Sequence, residues 1–219
     1  CDVVTRPNII MILADDMGLG KTLQTLAMMA HAAEQGSGPF LVVAPTSVVG
    51  NWVAEAAKFV PGLKAVAVRE SQKRRGMPLD QYIEGAHVVV TSYALFRIEH
   101  EAYQQQTWAG LILDEAQHVK NYRGRTYRCA RELETPFKIA ITGTPLENSL
   151  MDLWALMSIV APGLYPDPQD FADRYQRPIE RGSDPAMLAL LQRRRRPLMR
   201  RRTKEEVATD LPPKIEQVL

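Results

Sequence analysis

The sequence predicts an α/β fold: a three-layer core around a mostly parallel sheet, followed by a helical appendage. Three observations carry this reading. Short aliphatic or β-branched runs at residues 9–13, 40–43, 65–68, 87–90, 111–113 and 138–141 recur between helix-length amphipathic stretches. These runs are apolar along their length rather than at every second position, as strands covered on both faces are. After Pro145 the pattern turns helical: Leu150, Leu153, Trp154, Leu156 and Met157 suit an amphipathic helix, and prolines at 162, 166 and 168 break it. Residues 1–148 are thus expected to form the core, 149–210 the appendage and 211–219 the start of a connection onward.

Within the core, the run at 9–13 leads directly into a helix whose face is predicted from Leu23, Leu26, Ala27 and Ala30. Residues 36–39, Gly-Ser-Gly-Pro, end it, and Met28 and Met29 read as packing. At 219 residues, 46% hydrophobic and 24% charged, the chain has ample material for one buried core, which excludes a disordered chain. The apolar run at 9–14 falls far short of the roughly 20 residues of a membrane span, so no membrane partner is expected. The N-terminus lacks the basic and apolar regions of a secretory signal. Two cysteines, Cys1 and Cys129, and four histidines match neither a zinc site nor a disulfide framework, which favours a reducing compartment. The chain does not begin with methionine and ends in an apolar run at 215–219, and is read as a fragment.

The formal charge of +2 is unevenly spread: residues 1–192 carry a net of −3, and residues 193–219 a net of +5. The excess lies in Arg193, Arg194, Arg195 and Arg196, then Arg200, Arg201 and Arg202. Such a run suits either a phosphate backbone or an ordinary solvated helix face. Residues 69–76 read as a solvated connection rather than a basic surface loop near DNA.

Two segments carry chemistry. Strand 9–13 runs into Ala-Asp-Asp-Met-Gly-Leu-Gly-Lys-Thr at 14–22, with a helix following. Gly18, Leu19 and Gly20 would turn backbone N–H groups toward a triphosphate, Lys21 would reach the β- and γ-phosphates, and Thr22 would place its hydroxyl on Mg²⁺. Asp15 occupies the position where the general pattern has its first glycine. The second segment, Asp114-Glu115-Ala116-Gln117, follows a strand at the edge where parallel sheets place ligands. Asp114 is expected on the metal side, and Glu115 as the base that activates water. A loop and a carboxylate pair in this order predict a nucleoside triphosphatase. A third strand ends in Thr142, Gly143 and Thr144, which taken alone also suit a turn capped by Asn148 or Ser149.

In order, ADDMGLGKTLQ (14–24), VAPTSVVGNW (43–52), VTSY (90–93), LDEAQHVKN (113–121), TGTPLEN (142–148) and RRTKEEV (201–207) resemble the first RecA-like lobe of a superfamily-two helicase motor. The branch they resemble is the Swi/Snf (sucrose-non-fermenting) family of DNA-translocating ATPases, and the resemblance spans nearly the whole chain from about Ile12. It implies ATP and Mg²⁺ as cofactors, with Gln117 sensing the γ-phosphate beside Lys21, Asp114 and Glu115. It implies that Thr142, Gly143 and Thr144 couple hydrolysis to motion, and that Pro45, Thr46, Thr91 and Ser92 touch the DNA backbone. Trp52 is read as core, and His118 as a solvated or packed neighbour of its motif.

The implied function is the ATP-binding lobe of a DNA-stimulated ATPase that translocates on double-stranded DNA and remodels protein–DNA complexes. A strand-separating helicase lobe, or a DNA or protein docking module without turnover, are the alternatives. Implied partners are double-stranded DNA, a second RecA-like lobe of the same parent chain, and a DNA-bound protein or polymerase. Implied locations are the cytoplasm or nucleoid in a bacterium and the nucleus in a eukaryote. Residues 1–11 depart from the family's adenine-reading glutamine segment. Arginines that the family brings from its second lobe, worth about 10³ to 10⁵ in rate when supplied in trans, are expected to be missing, so the chain alone is expected to turn over little ATP.

Overall fold

The computed structural model describes residues 12–15, 20–143, 150–182 and 185–202. Seven parallel strands form one sheet among them: β1 (Ile12–Leu13), β2 (Phe40–Ala44), β3 (Ala65–Val68), β4 (Val88–Ser92), β5 (Gly110–Leu113), β6 (Lys138–Ile141) and β7 (Met199–Arg200). Their order across the sheet is β3-β4-β2-β5-β6-β1-β7, and every pairing is parallel. Residues 9–11 of the first predicted run lie outside the described residues. The predicted strand at 87–90 is shifted to 88–92, because His87 is held in the preceding turn, its Nδ1 accepting from the Lys64 amide at 2.9 Å.

Period-two alternation divides each strand between two apolar layers. Phe40, Val42 and Ala44 of β2 pack with Val88, Val90 and Ile112 beneath α1 (Lys21–Glu34) and α2 (Val49–Phe59), which contribute Leu26, Met29, Trp52 and Ala56. Leu41 and Val43 face the other layer with Val89, Leu111 and Leu113. That layer is built by α3 (Gln72–Arg75), α4 (Leu79–Tyr82), α5 (Tyr93–Ile98), α6 (His100–Gln104), α7 (Arg125–Glu132) and α8 (Leu150–Val160), with Phe96, Tyr103, Tyr127 and Trp154 filling its centre. Central strands read as continuous apolar runs because neither face meets water.

Three expectations are corrected. The buried face of α1 is Thr25, Leu26 and Met29, while Leu23 is 41% exposed and Ala27 is exposed. Gly20, with φ 72°, caps the helix in the left-handed conformation and sets the rotation at which it leaves the loop. Thr25 tolerates burial because its hydroxyl donates to the Lys21 carbonyl at 2.9 Å. Second, α8 is not amphipathic: residues 153–160 are all buried between β6, α7 and the helical segment that follows. Its polar atoms are satisfied there, Ser158 by the Tyr127 hydroxyl at 2.7 Å, and Trp154 by the Tyr165 carbonyl at 3.0 Å.

Third, the region after 149 is not a separate appendage. α8 belongs to the main core, and α9 (Pro168–Phe171), a π turn (Ala172–Gln176) and α11 (Pro185–Arg195) extend that core with Phe171, Tyr175 and Leu191, with Ile179 of α10 (Arg177–Glu180) packed against it, before the chain rejoins the sheet as β7. There Ile12 N–H donates to Leu198 O at 2.9 Å, and Ala14 N–H to Arg200 O at 2.8 Å. Residues 203–219, including the predicted connection at 211–219, lie outside the described residues. Among the described residues no helix is long and apolar enough to cross a membrane.

The phase of α1 has a direct test in chemical denaturation. Leu26→Ala, which empties a fully buried site, is expected to cost about 2–5 kcal/mol, and Leu23→Ala less than about 0.5 kcal/mol.

Candidate active site

A parallel sheet sends all its strands to one edge, so the segments that follow β1, β6, β5, β2 and β4 meet at their C-terminal ends. β6 lies between β1 and β5, which sets Thr142 between the lysine that follows β1 and the carboxylates that follow β5. The Lys21 ammonium donates to the Asp15 carbonyl at 2.7 Å, and the Gln24 side-chain amide to the Gly20 carbonyl at 3.3 Å. Thr22 is half-buried in the first turn of α1. Gly18, Leu19 and Thr144 lie outside the described residues.

Asp114 directly follows β5 and is 8% exposed. Trp52 Nε1–H donates to its Oδ2 at 2.8 Å, and the Glu115 amide to its Oδ1 at 2.9 Å. From the opposite layer, the Tyr93 hydroxyl donates to the Asp114 backbone carbonyl at 2.7 Å. Burial pushes the Asp114 carboxyl above the usual range, and Glu115 adds to the rise. The Trp52 N–H, the Glu115 amide and the Lys21 charge oppose it. The carboxylate is thus gripped by two donors while each oxygen keeps lone-pair capacity for another partner.

Glu115 has φ 48°, ψ 55°, left-handed backbone that a non-glycine residue rarely adopts. The two carboxylates have different partners: Trp52 holds that of Asp114, and Gln117 that of Glu115. Gln117, in a 3₁₀ turn (Ala116–Val119), donates from Nε2 to Glu115 Oε2 at 2.9 Å and accepts the Thr142 hydroxyl on Oε1 at 3.2 Å. One amide therefore bridges the segments after β5 and β6. His118 is exposed and stacks on Tyr93 with ring centroids 4.9 Å apart.

Of the residues expected to face a nucleic acid, Thr46 and Ser92 line one groove of about 260 Å³ with Ser47, Gly50 and Arg69, and Pro45 precedes it half-buried. Thr91 is a correction. It is fully buried, and its hydroxyl donates to Val68 O at 3.3 Å and accepts from the Tyr103 hydroxyl at 2.8 Å, so it supports the sheet instead of a ligand. The Ser92 hydroxyl caps α5 by accepting from the Leu95 amide at 3.2 Å. Arg193, Arg194 and Arg196 are exposed and Arg195 is half-buried, but this run enters the N-terminal end of β7 rather than the edge that gathers the other residues. Arg194 also spends a donor on the Tyr175 hydroxyl at 2.8 Å.

Sequence reasoning missed the second task of Trp52, which is core and also fixes Asp114, and it gave Tyr93 no role. Both stand in the quoted motifs, Trp52 closing the one at 43–52 and Tyr93 the one at 90–93, and that position was the available signal. The buried pairing of Asp15 with Arg202 was also missed.

This fold and site define a lobe of the RecA-like ATPase core: a loop lysine, a gripped aspartate, a turned glutamate and a bridging glutamine at one sheet edge. The chain belongs to the SNF2-related domain family, whose match covers residues 4–219. It is 41% identical over 209 residues to the putative ATP-dependent helicase/translocase YwqA of Bacillus subtilis, covering 94% of this chain and 23% of that protein. It is 38% identical to the helicase SWR1 of Mycosarcoma maydis, covering 95% of this chain and 13% of that protein. The Sulfolobus solfataricus SWI2/SNF2 ATPase core, solved in complex with double-stranded DNA, superimposes with a TM-score of 0.82 at 36% identity. That match covers 92% of this chain and 42% of the solved one. The chain thus spans less than half the length of each of these proteins.

The phenols of this region give a measurable signature. Burial raises Tyr93 and Tyr103 above the usual phenol range, and Asp114 and Glu115 raise Tyr93 further. A raised folded-state value means that the contribution to stability is present below the ordinary pKa of about 10 and is lost as pH rises through the folded value. Ultraviolet titration is expected to show these two tyrosines protonated above pH 10, ionising together with alkaline unfolding.

Proposed function

We propose that the chain is the ATP-binding lobe of a DNA-stimulated ATPase that translocates on double-stranded DNA and remodels protein–DNA complexes. The observation that carries the reading is the Gln117 bridge, which ties Glu115 to Thr142 beside an Asp114 already oriented by Trp52. Such a bridge transmits a change at the reacting phosphate to the strand beside it. A static docking module has no use for it.

Lys21 exchanges the Asp15 carbonyl for β- and γ-phosphate oxygens and neutralises their charge. Glu115 receives the proton of the water that attacks the γ-phosphorus as the bond to the ADP oxygen breaks. The donor set suits Mg²⁺: a carboxylate at Asp114 and a hydroxyl at Thr22 are hard oxygen ligands, and Mg²⁺ completes its shell with phosphates and water. When bound, the ion neutralises charge developing on the phosphate oxygens. The arginine contribution to the transferring phosphate comes from a second lobe in this reading, so turnover depends on that lobe.

The groove with Thr46, Ser47, Arg69 and Ser92 opens at the N-terminus of α2, offering hydroxyls, a guanidinium and a helix dipole to a DNA phosphate. The double-stranded DNA in the Sulfolobus core complex supports that use. None of these groups reads base edges as placed, which suits a motor that follows the backbone.

Three experiments test the proposal. The 219-residue chain is expected to bind ATP at equilibrium and Lys21→Ala to bind at least about tenfold more weakly, the loss of one charge-assisted contact. Glu115→Gln is expected to keep binding while abolishing the turnover that appears when a second lobe is supplied. Equal binding by Lys21→Ala overturns the assignment. In salt titrations of duplex binding, Arg69→Ala is expected to lower the log-log slope by about 0.9, one phosphate contact.

A further inference from the structure

We infer that Arg202 is a positioning residue for the phosphate loop: one guanidinium staples the two flanks of the loop and sets the geometry in which Gly20 and Lys21 meet the nucleotide. The inference rests on the nucleotide-binding reading above and extends it to a residue 187 positions from Asp15 in sequence.

Asp15 leaves β1 with a carboxylate that is fully buried. A buried charge requires partners, and Arg202 supplies all those described. Its backbone N–H donates to Asp15 Oδ1 at 2.8 Å, its Nε to Oδ2 at 2.9 Å, and its Nη2 also reaches Oδ2. The same Nη2 donates to Gln24 Oε1 at 3.0 Å, on the far side of the loop in the first turn of α1. Each flank in turn holds a working residue of the loop. The Asp15 carbonyl accepts the Lys21 ammonium, and the Gln24 amide donates to the Gly20 carbonyl. Arg202 therefore reaches both Lys21 and Gly20 through one intermediate apiece.

Two features separate this from ordinary charge neutralisation. Asp15 stands where the general phosphate-loop pattern has a glycine, so the carboxylate is an addition to the cradle, and its partner is fixed by pairing of β7 with β1. The arrangement also uses the forked geometry of arginine: Nε holds Oδ2 while Nη2 is shared between Oδ2 and Gln24, whereas a lysine has one nitrogen to divide among these contacts. Arg202 belongs to the RRTKEEV run, to which the hydrolytic site gives no other task.

The test is equilibrium binding of a fluorescent ATP analogue to the 219-residue chain, as wild type, Lys21→Ala, Arg202→Gln and Arg202→Lys, with Tm measured on each. Arg202→Gln is expected to weaken binding about tenfold, the scale of one lost charge-assisted contact. Arg202→Lys is expected to recover most of the Tm but not the affinity, with faster amide exchange at residues 20–25 and unchanged exchange in β2 and β4. Recovery of both Tm and affinity by Arg202→Lys reduces Arg202 to a structural counter-charge and overturns the inference. So does wild-type affinity in a folded Arg202→Gln. Absence of Lys21-dependent binding in the wild type overturns the nucleotide reading itself, and the inference with it.

Discussion

Much of this molecule is arranged around one buried carboxylate at the end of the central strand. Asp114 follows β5, whose residues are wholly buried, so its surroundings resist ionisation and its orientation cannot be left to solvent. The two layers meet this need from opposite sides. α2 sends the Trp52 indole N–H to the carboxylate, and the start of α5 sends the Tyr93 hydroxyl to the backbone carbonyl. Packing and chemistry are inseparable here, because the same aromatic rings that fill the layers carry the donors. The indole and phenol are large apolar bodies with one polar tip, which is what a dry wall beside a polar site demands.

The neighbouring segments inherit this constraint. Trp52 belongs to the stretch that begins at the Thr46 groove, and Tyr93 follows Ser92 on another wall of that groove. The residues lining the groove and those gripping the aspartate are thus a few positions apart on the same elements. A ligand in the groove needs no long pathway to influence Asp114. It has only to bias the start of α2 or of α5.

The layered fold was legible in the sequence because two-sided burial writes itself as unbroken apolar runs, and the strands at 65–68 and 138–141 are found where those runs lie. Of the candidate site, the placement of Lys21 after β1 and of Asp114 and Glu115 after β5, at one sheet edge, was legible from the strand runs that precede them. What escaped depends on third dimensions. The family resemblance set Thr91 against a DNA backbone, yet pairing of β4 with both β2 and β3 closes over it. The phase of α1 was misjudged because alanines bury or expose at little cost, so Ala27 and Ala30 carry weak information about the face. Residues 153–160 hold one polar side chain, Ser158, and that near-continuous apolar character was the sign of burial on every side. The left-handed turn at Glu115 leaves no trace in composition, since glutamate is an unfavoured choice for it.

The position of β1 in the sheet also bears on how the chain is made. Strands β2, β3 and β4 find their partners within residues 40–113, and β5 adds β6 at 138–141, whereas among the described residues β1 pairs with β6 and β7, at 138–141 and 199–200. During synthesis from the N-terminus, the strand that opens the phosphate loop therefore waits while most of the chain emerges, and its second neighbour arrives among the last described residues. Such non-local pairing is slow, and an unpaired edge is the part of an α/β domain most open to capture by another chain. The strand that leads to Lys21 is thus joined last, on a scaffold that is already in place.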